Sequence, residues 1–507
     1  MKTIIGKIDQ LQIDNEIIAY AGKILQEGGL VAFPTETVYG LGANALDETA
    51  AMRTYEAKGR PCDNPLIVHI AEKEALEHIV KHIPDKANVV MDAFWPGPLT
   101  LIFEKSDVVP KGTTGGLSTV AVRMPENEIA LRLIRAGGGY VSAPSANTSG
   151  RPSPTTAAHV KDDLEDRIEM ILDGGSVDIG VESTILDMTV EPPMILRPGA
   201  ITKEMLEETI GEVSVDRALI QAESTQAPKA PGMKYRHYAP EAPLTIVEGE
   251  MEDVVKAIRQ LVYEAEKDNK KVGIIATNET VEQYTRGTVK SIGNREHENS
   301  IARNLYRILR EFDEEDVDVI YSEAFAAEGI GVAIMNRLEK AAGHRVVSAE
   351  EIVKLQDMRK VVFVSNSDNC RGPMAAELLR NQELKQEYII ESRGLVVLFP
   401  EPANQKAEAI MKSQQMTLEA HMATQLTEED LDAETLVLVF EEAQKWKIVA
   451  DYDYVKHVYT LSEYVEDERH VGSAHGQPLV VYGENFELLR ELIKKLADKL
   501  NEEVQEL

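Results

Sequence analysis

The chain has 507 residues, enough for about three domains of ordinary size, and its 43% hydrophobic and 28% charged content is that of a soluble globular protein. The formal net charge of −32 excludes broad electrostatic attachment to nucleic acid or anionic membranes, while allowing a local basic cleft. No run is apolar for long enough to span a bilayer, the opening MKTIIGKIDQLQIDNEI does not read as a signal peptide, and two distant cysteines, Cys62 and Cys370, suggest a reducing cytoplasm without a disulfide framework.

In chain order, Asp14 to Gly28 has helical apolar spacing and a glycine stop. A short apolar strand, Leu30 to Phe33, runs into Pro34, the polar cluster Thr35, Glu36 and Thr37, and a turn bearing Gly40 and Gly42. Asp47 to Ala57 reads as a helix that presents Lys58. There KGRPCDNPLIVH offers two cations two positions apart, Lys58 and Arg60, which in extended backbone point to one side and can converge on a polyanion. Pro61 and Asn64-Pro65 keep the next segment out of helix, and Leu66 to Val68 reads as a buried strand that delivers His69.

Two amphipathic helices are expected at Glu72 to His82 and Lys86 to Phe94, then a turn and strand from Trp95 to Phe103 and a Gly-rich polar loop from Lys111 to Thr119. Thr119 and Arg123 flank a short strand. The loop Ser142 to Gly150 sets Ala143, Ser145 and Asn147 at period-two spacing, and Ser153 follows in a Pro-rich turn. Ser183 closes the loop Asp173 to Thr184, and Arg197 lies on the strand ILRPGAI. Strands alternating with helices and Gly/Pro turns indicate a mixed α/β domain. Neither GxxxxGK[ST] nor GxGxxG occurs in this region, so a nucleotide bound here is not held by a helix-capping phosphate loop.

FPTETVYGLG, the KGR…NPL..H segment, WPGPLTLIF, VAVRMP, SAPSANTSG and ILRPGAI together resemble the threonylcarbamoyl-AMP synthase family, in the family's order and over roughly the first two-fifths of the chain. The resemblance implies a YrdC-like mixed α/β domain over residues 1–210. It implies that Thr37, His69, Arg123, Ala143 and Ser183 surround L-threonine. Lys58, Arg60, Asn64, Thr119, Ser145, Ser153, Arg197 and Tyr238 would surround ATP, with Lys58 and Arg60 as the catalytic cations. Such an enzyme condenses L-threonine, bicarbonate and ATP into threonylcarbamoyl-AMP and pyrophosphate, with Mg2+ held mainly by the phosphates and water. The product would feed modification of tRNA adenosine 37 by a separate transfer machinery, with no direct tRNA binding and no membrane association expected.

Residues 211–243 are expected to form a linker whose PGMKYRHYAP stretch matches the family's active-site lid, with Lys234 and Arg236 facing anions and Tyr238 closing on the nucleotide. Residues 244–350 read as a small Rossmann-like parallel α/β domain, without a catalytic constellation of its own and with a stabilising or lid-anchoring role. Its strands are LTIVEG, KVGIIAT and VDVIYSEAF, and its helices are Met251 to Lys267 and Glu298 to Phe312.

A third unit, residues 359–507, opens with the strand Lys360 to Ser365, the loop SNSDNCRGP and a helix from Met374 to Arg380. It resembles the low-molecular-weight protein phosphatases, which implies a flavodoxin-like, doubly wound domain. Ser365 stands where that family has its nucleophilic Cys, Gly372 replaces a supporting hydroxyl, and Ser473 takes the place of the general-acid Asp, while Arg371 is kept. A serine hydroxyl starts far too high in pKa for loop amides to make it a nucleophile, and no nearby base is evident. The unit is therefore expected to be a pseudophosphatase whose Arg371 and loop amides could still hold an anion. Alternative readings are an RNA-binding first domain and a bifunctional chain with a working phosphatase.

Overall fold

In the computed structural model the described residues are 2–216, 238–356, 360–431, 435–452, 455 and 457–503. They fall into two units, Met1–Val347 and Ser348–Leu507.

Among the described residues, the first unit holds an eleven-stranded sheet. Its strands lie in the order Ile4–Lys7, Met170–Asp173, Val31–Phe33, Gly40–Asn44, Val141–Ser142, Ile67–His69, Thr119–Arg123, Leu99–Glu104, Thr184–Asp187, Met194–Arg197, Ser214–Val215. Parallel and antiparallel pairings alternate irregularly along it. Two pairings matter for function: Ile67–His69 lies parallel to Thr119–Arg123 with His69 opposite Arg123, and Thr100 faces Arg123 across the antiparallel neighbour. Central strands such as Val31–Phe33 and Ile67–His69 are buried on both faces, so they read as short apolar runs without alternation. Phe33, Leu41, Val68, Leu101 and Val122 are fully enclosed, each contributing roughly 1.5–3 kcal/mol of apolar burial.

The helix Asn15–Gln26 is capped by the Asp14 carboxylate, which accepts from the amides of Glu16 and Ile17. Glu48–Lys58 is capped in the same way by Asp47 and stops at Gly59, whose φ of +62° is the left-handed conformation that glycine adopts without strain. Lys58 and Arg60 therefore come together at a helix end and its left-handed turn, not along an extended segment. The expected helix at Glu72 to His82 shrinks to the single turns Lys73–Ala75 and Leu76–Ile79. Val80 leaves it to bridge Lys105, and the Lys81 amide donates to Glu104 O (2.9 Å), so edge pairing with the strand wins over a marginal helix.

The second sheet of this unit has five strands among the described residues: Thr288–Ser291, Val272–Ala276, Val319–Glu323, Leu244–Glu248 and Val346–Ser348, in that order. The pairs among the first four are parallel, and the helices Met251–Lys267, Glu298–Glu314 and Gly331–Ala342 cover it. This Rossmann-like layer binds the first sheet's loops tightly. Arg310 and Asp163, 4% and 0% exposed, form a buried pair at 2.8 Å. Gly180, at φ +87°, lies so close to the helix Glu298–Glu314 that a Cβ there would meet Arg303 Cα at 2.4 Å.

The second unit is a parallel sheet in the order Ile389–Gly394, Lys360–Ser365, Thr435–Val439, Val458–Thr460. Its packed helices include Arg371–Arg380 and Leu479–Glu503, the former starting three residues before the sequence spacing suggests. The doubly wound, flavodoxin-like class expected for it is what the chain adopts.

Candidate active site

The strand ends of the first sheet open on a cleft that is continuous with solvent at its mouth. Among the described residues five cations line it, Lys58, Arg60, Arg123, Arg151 and Arg197, against one carboxylate, Glu182. A chain of net charge −32 thus gathers positive side chains around one cavity. Ten of the thirteen residues expected at the site line this cleft: Thr37, Lys58, Arg60, His69, Arg123, Ala143, Ser145, Ser183, Arg197 and Tyr238.

The other three are not among the residues that line it. The buried Asn64 accepts through its main-chain oxygen from Arg60 Nε (3.2 Å) and Tyr55 OH (3.2 Å), so it aims Arg60 from the rear. Ser153 donates to Glu182 Oε1 (2.6 Å). Thr119 begins the strand that ends at Arg123 and pairs with Glu104.

At one end of the cleft Arg123 is held from three sides. Its Nη1 donates to Thr37 Oγ1 (2.9 Å), its Nε to Gly97 O (3.2 Å), and its Nη2 pairs with the buried carboxylate of Glu36 (2.6 Å). His69 lies beside it, edge-on to Phe33 with ring centres 6.4 Å apart. Its Nδ1 donates to Ile67 O (3.2 Å), leaving Nε2 as an acceptor. Burial, reinforced by the charge of Arg123, brings the imidazole down to about 3, so it is neutral at ordinary pH. Ser183 Oγ shares a hydrogen bond with Thr100 Oγ1 (2.8 Å) and accepts from Arg197 Nη2 (3.1 Å). Arg197 Nε also donates to Ser183 O (3.0 Å), which links this end of the cleft to the other.

At that other end, Lys58 is 2% exposed and its Nζ donates to the carbonyls of Ser145 and Asn147. Burial, followed by the neighbouring charge of Arg60, holds its ammonium well below the usual lysine range. Burial likewise lowers Arg60 to about 10. Tyr238 is buried, lines the cleft and stacks on Tyr306 of the Rossmann-like layer, with ring centres 5.2 Å apart. The expected anion contacts of Lys234 and Arg236 fall outside the described residues.

Sequence reasoning missed the carboxylates. Glu36 sits in the middle of FPTETVYG, one residue before Thr37, and that adjacency was the only signal the sequence offered, since its partner Arg123 is 87 residues away. Glu182 adjoins Ser183, but its partners Tyr306 and Arg337 are more than a hundred residues away, and no spacing rule joins them.

In the second unit the loop after Ser365 curls around its own polar groups. The Asp368 amide donates to Ser365 Oγ (3.2 Å), and Asp368 Oδ2 accepts from the Thr424 amide (3.0 Å). Arg371 Nη1 donates to Val471 O (2.8 Å), and its Nη2 to Glu441 Oε1 (2.6 Å). Ser473 lies in an exposed loop. Burial pushes the Cys370 thiol up to about 11, against the weaker opposing pull of Arg371.

The first unit is thus a mixed α/β protein with a cation-lined cleft at its strand ends. Residues 23–199 match the family described as telomere recombination, 201–343 the C-terminal domain of threonylcarbamoyl-AMP synthase, and 360–507 the low-molecular-weight phosphotyrosine protein phosphatases. The threonylcarbamoyl-AMP synthase of Pyrococcus abyssi is 51% identical over 66% of this chain and 97% of its own length, and that of Bacillus subtilis 50% identical over 67% and 96%. A solved structure of the P. abyssi protein complexed with L-threonine is 50% identical and covers 68% of this chain and 99% of that one, with a TM-score of 0.65. The chain is an enzyme and belongs to the threonylcarbamoyl-AMP synthase family, with a phosphatase-like unit following the synthase region.

Proposed function

We propose that the cleft condenses L-threonine, bicarbonate and ATP into threonylcarbamoyl-AMP and pyrophosphate. The single observation that carries this reading is the convergence of ten family-pattern residues on one cleft with five cations and one carboxylate. Neutral His69 offers an acceptor to the threonine amine or hydroxyl, while Arg123, held by Thr37 and Glu36, offers the charge for its carboxylate. Ala143 and Ser183 close that pocket. The threonine ammonium and bicarbonate give the carbamate with loss of one water and release of one proton to solvent, and a carbamate oxygen then attacks the α-phosphorus in line as pyrophosphate leaves.

Lys58, Arg60 and Arg197 neutralise the phosphates and steady the charge that builds on the departing pyrophosphate. Asn64 fixes Arg60, Ser145 fixes Lys58 and Ser153 engages Glu182, while Thr119 serves the nucleotide from the strand's start and Tyr238 closes on it. No covalent nucleophile is needed. Mg2+ would be held by the ATP phosphates and water and would supply further charge neutralisation, since Glu182 is engaged by Ser153, Tyr306 and Arg337. The product is consumed by a separate enzyme that transfers threonylcarbamoyl to adenosine 37 of tRNA. Incubation with 13C-bicarbonate, L-threonine, ATP and Mg2+ followed by mass spectrometry should give 13C-labelled threonylcarbamoyl-AMP; AMP without the labelled adduct would refute the assignment.

The phosphatase-like unit is inactive in this reading. Ser365 lacks a thiolate's nucleophilicity, Cys370 remains a protonated thiol, and Ser473 cannot act as the leaving group's acid.

A further inference from the structure

Glu182 is an anomaly in a cleft meant for a polyanion, because a carboxylate there either repels phosphate or neutralises a cation meant for it. Its surroundings resolve the conflict. Arg337, fully buried on the helix Gly331–Ala342 of the Rossmann-like layer, donates from Nε to Glu182 Oε2 (3.0 Å) and from Nη1 to Pro198 O (2.7 Å). It therefore clasps the residue before Ser183 and the residue after Arg197, the two segments that join both ends of the cleft. Tyr306 adds its hydroxyl to both Glu182 oxygens (2.9 and 3.0 Å) and its ring to Tyr238.

Resting on the synthase reading, we propose that Arg337 is a positioning residue for ATP: it takes up the charge of Glu182 and holds Arg197 and Ser183 in register, making the second layer part of the nucleotide site. The electrostatics agree. Burial alone would raise the Glu182 carboxyl, but Arg337 and then Arg197 outweigh it and bring it down to about 2. Without Arg337 the carboxylate turns its charge on Arg197 and on the incoming phosphates.

The test is calorimetric ATP binding by the full chain carrying Arg337→Gln, Glu182→Gln/Arg337→Gln or Arg337→Lys, with melting temperature alongside. Loss of the buried countercharge should weaken ATP about tenfold or more in R337Q, with a smaller change for threonine. The double variant, which replaces the ion pair by two neutral amides, should recover most of that loss, and R337K should fall between. A purely structural bolt would weaken ATP and threonine alike, in step with the fall in melting temperature, and that result would overturn the proposal. R337Q that folds and binds ATP like the wild type, or a double variant no better than R337Q, overturns the proposal. If R337Q does not fold, the double variant decides: folded with near wild-type affinity supports the proposal, and folded with the tenfold loss overturns it. A wild-type chain that binds no ATP would sink the synthase reading, and this proposal with it.

Discussion

His69 provides a quantitative check on the threonine end of the cleft. Burial and then Arg123 place its pKa at about 3, against an ordinary 6.5. Above pH 6.5 the imidazole is neutral in both folded and unfolded chains and adds no pH dependence. Below it the unfolded chain protonates first, so stability is lost as pH falls, until the folded imidazole also titrates near 3. The loss attributable to this residue is about 2 kcal/mol at pH 5 and reaches about 5 kcal/mol below pH 3. The assay is imidazole NMR of the labelled chain, with His69→Gln identifying the resonance, and urea unfolding of both proteins at pH 7 and pH 5. The His69 resonance should stay neutral down to about pH 4, and His69→Gln should lose about 2 kcal/mol less stability on acidification than the wild type. A midpoint near 6.5, or equal losses in both proteins, would show that the imidazole is not enclosed beside Arg123 as described.

The remaining predictions concern the cations and the two flanking layers. Because burial and Arg60 depress the Lys58 ammonium, a bound triphosphate should raise it, and calorimetry in buffers of different ionisation enthalpy should detect net proton uptake on ATP binding at alkaline pH; no uptake would place Lys58 away from the phosphates. Arg310→Met leaves Asp163 with Arg151 as its remaining cationic partner and should destabilise the synthase unit by about 3 kcal/mol in urea unfolding, whereas an unchanged midpoint would contradict a tight interface. Gly180→Ala introduces a Cβ only 2.4 Å from Arg303 Cα at positive φ, and should lower both melting temperature and threonine-dependent turnover. Ser365→Cys alone should release no appreciable phosphate from an aryl phosphate, because Ser473 and the Glu441–Arg371 pair remain; ready turnover would refute the inactive reading.

Local signals in the sequence were the ones that survived into the structure. The helices expected from Asp14 and from Asp47 form, each capped by that aspartate, and the strand Lys360–Ser365 lies where it was expected. The cleft residues were legible through a resemblance, since nothing in spacing brings Arg197 to Ser183 or Lys58 to the Ser145 carbonyl. What was not legible is what depends on contacts between distant segments. The turn at Leu76–Ile79 yields to pairing with Lys105 and Glu104, Glu36 turns inward onto Arg123, and Glu182 is satisfied only once a helix 155 residues further on delivers Arg337. The Rossmann-like layer looked like a support for that reason. Its chemistry lies in two side chains, Tyr306 and Arg337, whose partners are in another layer.

The most direct test of the account is pyrophosphate release by the full chain with ATP, Mg2+ and bicarbonate, with and without L-threonine, beside Arg60→Ala. The account predicts release that requires threonine and is lost in the variant. Release indifferent to threonine, or equal in Arg60→Ala, would contradict it.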